Sequence, residues 1–377
     1  MEKKSGDKKV SPLGWVTLAC SVAVLFFPAE PDGYIWIPGS LSLFLAGLLL
    51  IKSRRESVAR ITIRQATSNY LHPGVIISLS SIVLSLGFFV LPLAVHMVPI
   101  LPESISFMAL PFLACIVLIG IHTYLGIHVI TREVIFVDLS IAQMAALGAA
   151  FAFILGYSPA SNASYTTSLA FTFLGAGIFA SSRMREREIP QEAIIGIVYA
   201  FASALTILVI SRAPHGAEHI KEMLTGSILW VRAETIVQTA RVYSIISIFH
   251  IVLYRVFVLI SRDPSRARSI GMQVMFWDLL FYLSFGIVIT FAVATAGVLL
   301  VFSFLIIPAF ISALFTDNTV QRLLIGWAIG TVVSVVGLML SYTLDFSSGP
   351  AVVSLFGLSL VLAALLRVVM VRMGPKR

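Results

Sequence analysis

The sequence predicts an all-α polytopic membrane protein of about twelve spans, and three observations carry that prediction. Of its 377 residues 58% are apolar and 12% charged, with a mean hydropathy of +0.99. A water-soluble domain cannot hide that much apolar surface. The apolar stretches are continuous and mostly about 20 residues long, as membrane helices require; a barrel would alternate in ten-residue segments. Only helices and closed barrels satisfy the backbone inside lipid, so the runs read as helices. Finally, the 26 Lys and Arg residues gather at the ends of the runs, where they mark topology. This distribution argues against a nucleic-acid-binding reading of the net charge of +8.

In chain order the expected spans are 13–28, 34–51, 75–99, 108–130, 134–156, 164–182, 192–211, 235–260, 274–296, 297–315, 323–342 and 350–371. The first is short for a hydrocarbon core of roughly 30 Å and pairs naturally with the second. With a cytoplasmic N-terminus, 21 Lys and Arg fall on the inner segments and 3 on the outer ones. The positive-inside rule then places both termini in the cytoplasm. The basic segment 52–74 separates three N-terminal spans from the remaining nine and suits anchoring on anionic lipid. Cys20 and Cys115 are the only cysteines, too few for a disulfide framework or a thiolate metal site. The TLAC stretch at 17–20 sits in an apolar run that continues past Cys20, so neither a lipoprotein box nor a cleaved signal peptide is expected.

Among the loops, 211–234 is too polar for a span and too apolar at its end for a plain loop, which suits a re-entrant element lining a cavity. It carries His215, Glu218 and His219, spelling H-x-x-E-H. On a helix these three share a face. A zinc protease would need a long helix in a water-excluded cleft. Here Pro214 and Gly216 interrupt the segment and it faces outward, leaving a solvated loop or a cation-attracting outer vestibule. Asp138 and Asp278 each lie about four residues inside a span, near enough to the surface for a hydrated structural role. His122 and His250 lie deeper, as buried neutral imidazoles with one hydrogen bond each or as ligands. Arg132 and Glu133 read as a surface pair.

SRDPSRARSIGMQ (261–273) is a short polar segment between two strong spans. Asp263 can cap a helix that starts at Pro264, Ala267 offers a close-approach surface, and Gly271 can end the turn. It reads as a docking knob for a cytoplasmic partner or as an ordinary connection. Small residues at ALGAA (146–150), LGAG (174–177) and Gly297 suit close helix packing in lipid, and Pro308 predicts a kink. No G-x-x-x-x-G-K-[ST] occurs in the chain, so any ATP hydrolysis belongs to another subunit.

Six stretches resemble one family, the permease subunits of ABC-type (ABC-3) zinc, manganese and iron uptake systems. They are GIHVITREVIFVDLSIAQMAALGAAFAFILG (126–156), EAIIGIVYAFASALTIL (192–208), EMLTGSILWV (222–231), DPSRARSIG (263–271), TAGVLLVFSFLIIPA (295–309) and SYTLDFSSGPAVV (341–353). The resemblance implies a type II ABC importer-like fold, with an ABC-3-like permease domain over 108–377 and extra N-terminal spans over 1–107. It implies a homodimer in a bacterial cytoplasmic (inner) membrane, a metal path at the dimer interface and an extracytoplasmic metal-binding protein. It also implies that this chain is no enzyme and binds no cofactor, ATP being held by a cytoplasmic ABC ATP-binding subunit. The coupling helix to that ATPase would comprise Asp263, Pro264, Arg266, Ala267 and Gly271. Two positions depart from the family. Ser265 stands where Glu is frequent. Gln143 takes the place of a His that follows an Asp by four residues, and Asp138 is out of register by one. Gln is a poor zinc ligand, which leaves the metal open. The residues placed on the path are Asp138, Gln143, His215, Glu218 and His219. Two alternatives stay open: a type II importer of a chelated or non-metal cargo, and an ion-coupled secondary transporter.

Overall fold

The structure, a computed structural model, describes residue 83 and residues 86–373 apart from 101–102, 159–160, 184–188, 212–225 and 227. All regular structure among the described residues is helical. A π-helical turn at Leu86–Val90, a short helix α1 (Leu91–Met97) and a 3-10 turn at Val98–Ile100 form the first described element. It covers the second half of the expected third span. The first two spans and the basic 52–74 segment lie outside the described residues.

Among the described residues, nine helices are long and apolar enough to cross a membrane. They match expected spans four to twelve. They are α2 (Glu103–Thr131), α3 (Val137–Ile154), α4 (Asn162–Ser182), α5 (Gln191–Ile210), α6 (Ala233–Val252), α9 (Val274–Ala296), α10 (Val298–Phe315), α11 (Thr319–Leu344) and α12 (Ser348–Met373). Two short helices, α7 (Tyr254–Arg262) and α8 (Pro264–Ser269), stand between α6 and α9.

The helix ends follow local chemistry. Ser161 caps α4 by accepting from the Ser164 N–H at 3.2 Å. Asn318 caps α11 by accepting from the N–H groups of Val320 and Gln321 at 2.9 and 3.2 Å. These are the acceptors that satisfy first-turn donors. Gly297, at φ +78°, turns the chain directly from α9 into α10, a conformation that favours glycine. Pro308 lies inside α10, which runs through it.

One span differs from expectation. The eighth, anticipated as continuous over 235–260, breaks at Leu253 (φ −98°, ψ 12°) into α6 and α7. The break falls where an apolar span meets an amphipathic segment. In α7, Phe257, Val258, Ile260 and Ser261 are buried while Arg262 is exposed. The apolar run is thus two helices, one crossing and one amphipathic.

At the centre of the bundle lies α9, with 83% of its apolar window buried, against 11% for α12. It touches α3 and α4 on one side and α6, α7 and α10 on the others. One flank of the bundle is α3–α4–α5 and the other α2–α10–α11–α12. Close approach is made at glycines. A side chain at Gly148 would fall 2.6 Å from the Ser168 Cα, and one at Gly126 would meet the Leu305 backbone. The small-residue run at 146–150 thus packs α3 on α4.

Candidate functional site

Successive crossings bring together the end of α2, the start of α3, the end of α4, the start of α5, the α7–α8 pair and the start of α9. Residues that sequence reasoning singled out, and several that it missed, meet at this end of the bundle.

The 264–269 segment forms a helix. Asp263 Oδ1 accepts from the Arg266 N–H at 2.8 Å, with Pro264 in the first turn. The turn closes through Gly271 N–H to Arg268 O at 3.0 Å and Met272 N–H to Ala267 O at 3.0 Å, with Gly271 at φ +80°. Ala267 is fully buried against its own chain, whereas Ser265, Arg266, Arg268 and Ser269 are exposed. The close approach at Ala267 is therefore internal: it seats the helix on the bundle. The face left to a partner is basic and hydroxyl-rich.

Beneath this helix lies an ionic cluster. Asp278, on the second turn of α9, is 0% exposed. Its Oδ1 accepts from Arg132 Nη1 at 2.9 Å and from Arg183 Nη1 at 2.6 Å. Arg132 Nε donates to Ser261 Oγ at 2.8 Å, and Arg183 Nη2 donates to Ile260 O at 3.0 Å. The Arg132 guanidinium lies 3.8 Å from the Phe281 ring centroid, which adds cation–π attraction. His128 Nδ1 is 2.9 Å from the same Ser261 Oγ. Two sequence expectations are corrected here. Arg132 is not a surface residue but 7% exposed, and Asp278 is not hydrated. Burial of a carboxylate at this depth is sustained by two guanidinium groups reaching it from helix ends. The sequence does hold a signal for this: Arg132 follows a span, Asp278 lies just inside another, and topology puts both at one end.

At the start of α3, Asp138 is 1% exposed and its buried carboxylate is met by no other side chain, only the backbone N–H groups of Asp138 and Leu139 in the first turn lying near it. It too is not hydrated, because α3 begins inside the protein and α4, α5 and α9 surround it. Glu192, at the start of α5, reaches the same end of α3 and accepts from the Phe136 N–H at 3.1 Å. Gln143 is also buried. Five residues on a helix separate Asp138 and Gln143 by about 140° around the axis, so the two side chains leave α3 in different directions. Among the described residues no group of three His, Cys, Asp or Glu is placed to hold a metal. His215, Glu218 and His219 lie outside the described residues.

The deeper histidines are hydrogen-bonded. His122 Nδ1 stands 2.6 Å from Leu118 O. A carbonyl only accepts, so Nδ1 carries the proton; Nε2 is buried with no partner. His250 Nε2 stands 2.9 Å from Ser284 Oγ, with Tyr124 Oη 3.4 Å from Nδ1.

What these features define is a membrane protein, helical throughout its described residues, that carries a capped, basic helix at one end and has no G-x-x-x-x-G-K-[ST] pattern in its sequence. Residues 104–367 match the ABC 3 transport family. The chain belongs to that family. It is similar to a probable iron transport system membrane protein of Haemophilus influenzae, 28% identical over 178 residues, 47% of this chain and 63% of that protein. The manganese transport system membrane protein MntB of Synechocystis is 31% identical over 52% of this chain and 63% of its own length. The chain thus spans somewhat under two thirds of these relatives. The manganese transport system membrane protein MntC of Listeria innocua is 30% identical over 52% of this chain and 71% of its own. Among solved structures, PsaBC from Streptococcus pneumoniae, in complex with Fab, has a TM-score of 0.58 at 22% identity, covering 68% of this chain and 90% of that one. An inward-facing metal-chelate type ABC transporter has a TM-score of 0.53 at 17% identity, covering 80% and 99%. At these identities the two structures speak to the fold alone.

Proposed function

We propose that this chain is the membrane permease of an ATP-driven uptake system for manganese or iron. It works by alternating access and does no bond chemistry. The observation that carries the reading is the capped helix at 264–269, seated by Ala267 and exposing Arg266 and Arg268, in a chain of the ABC 3 transport family. The partner that hydrolyses ATP presses on that helix from the cytoplasm, and its groove is acidic to match. Manganese and iron are preferred because the relatives described above are manganese and iron transport proteins. Two copies of the chain and an extracytoplasmic metal-binding protein complete the assembly.

Asp138 is the residue proposed to meet the metal. A buried carboxylate that no other side chain meets is costly, and a passing divalent cation is a partner of the right charge. The 215–219 motif attracts cations at the outer mouth, while Gln143, which leaves α3 in another direction from Asp138, is not placed beside it on this path. The test is ATP-driven manganese uptake into proteoliposomes holding the permease with its ATPase. Asp138→Asn keeps the shape and removes the charge, so uptake should fall at least ten-fold with the complex still assembled. Full uptake by that variant would remove Asp138 from the path. Uptake driven by a membrane potential without ATP would replace the importer by a secondary transporter.

A further inference from the structure

The helix at 264–269 is spliced into the chain with almost no slack. Asp263 alone separates it from α7, and residues 270–273 separate it from α9. Any displacement of this helix therefore pulls first on the end of α7 and the start of α9. Both of those ends are tied to the rest of the bundle by the same two guanidinium groups. Arg132, just past α2, holds Ser261 of α7 with Nε and Asp278 of α9 with Nη1, at 2.8 and 2.9 Å. Arg183, at the end of α4, holds Ile260 O of α7 with Nη2 and Asp278 with Nη1, at 3.0 and 2.6 Å. Each arginine is a fork with one tine on either side of the short helix, and the two forks meet at one carboxylate oxygen.

We propose that Arg132, Asp278 and Arg183 form the joint that converts movement of the 264–269 helix into movement of α2 and α4. The inference rests on the reading that this helix takes the push of the ATPase. Three features distinguish a joint from a static brace. Both flanking elements are gripped by both arginines, so α7 and α9 move as one piece with the short helix between them. Asp278 Oδ2 is buried with no partner, so the carboxylate keeps a second oxygen onto which either guanidinium can shift without any of the three side chains being exposed. A buried cluster that can re-pair in this way is the kind of element that relays a shift between sites. And the cluster holds two positive groups against one negative, so removing one arginine leaves a neutral pair and not an orphaned charge.

The experiment uses the complete complex in proteoliposomes and reads two quantities, ATP hydrolysed and manganese taken up. Arg132→Gln leaves Arg183 and Asp278 paired, so the complex should assemble. Its uptake should fall at least ten-fold while ATP hydrolysis stays within about two-fold, so the ratio of metal to ATP drops. Arg183→Lys keeps the charge but cannot hold Asp278 and Ile260 O together, and should lower the ratio in the same way. It decides the matter alone if Arg132→Gln does not assemble. An unchanged ratio in either assembled variant, whether both activities persist or both fall by the same factor, overturns the joint and leaves a brace. The underlying reading is tested apart from this: in the double variant Arg266→Glu, Arg268→Glu the ATPase should no longer co-purify. If it still does, the docking reading fails, whatever the ratios show.

Discussion

Two glycines illustrate how single residues set this structure. Gly226 and Gly156 both hold positive φ, +65° and +88°. They differ in surroundings: a side chain on Gly226 would strike the backbone of Ala296 and Gly297, whereas nothing lies within 4 Å of the position on Gly156. Gly156→Ala should therefore cost only the left-handed backbone penalty, about 1 kcal/mol. Gly226→Ala adds a collision with backbone that has no rotamer to retreat to, worth roughly a further 1–3 kcal/mol. Thermal unfolding of the purified proteins in detergent should show the second variant melting clearly lower. Equal melting temperatures would mean that the 226–297 contact yields easily. The sequence puts Gly156 at the end of the expected span 134–156 and Gly226 in the expected re-entrant segment 211–234; the collision comes from two segments about 70 residues apart, and only the fold joins them.

At the scale of the element, the 264–269 helix is legible in the amino-acid sequence because its start and stop signals are local: Asp263, Pro264 and Gly271 act within a few residues of themselves. The long spans are legible for the same reason, since apolar length is a local property. Local signals do not give the break at Leu253, where both sides are apolar enough to read as one run, or the burial of Arg132. A charge at a span end reads as a surface charge unless its partner 146 residues away is known. Asp138 and Gln143 are legible as candidate residues but not as geometry. Capping makes the element-scale prediction. Asp263→Ala removes the acceptor for the Arg266 N–H, a loss of about 1 kcal/mol, large for a helix of six residues. Asp263→Asn keeps an acceptor. Metal uptake by the complex should fall in the Ala variant and stay near wild type in the Asn variant; equal behaviour of the two would show that the cap does not matter to docking.

At the scale of the whole molecule, the nine described crossings impose a parity that can be measured. Starting from either face, α2 to α12 place 132–136, 183, 189–190, 262–273 and 316–318 at one end of the bundle. Residues 155–158, 161, 297 and 345–347 then fall at the other. The Lys and Arg bias assigns the first set to the cytoplasm, and the proposed docking of an ATPase on 264–269 demands the same assignment from an independent direction. Four exposed positions report on it: Ser265 and Asp317 in the first set, Tyr157 and Phe346 in the second. With Cys20 and Cys115 replaced by Ser, a single Cys at each position can be probed with a membrane-impermeant maleimide. On intact cells the Tyr157→Cys and Phe346→Cys variants should label and the other two should not. After permeabilisation Asp317→Cys should label fully, and Ser265→Cys should label less wherever the ATPase covers it. The reverse pattern would invert the molecule and remove the cytoplasmic docking of the 264–269 helix. A split within either pair would instead break the count of nine crossings, so the two failures are distinguishable.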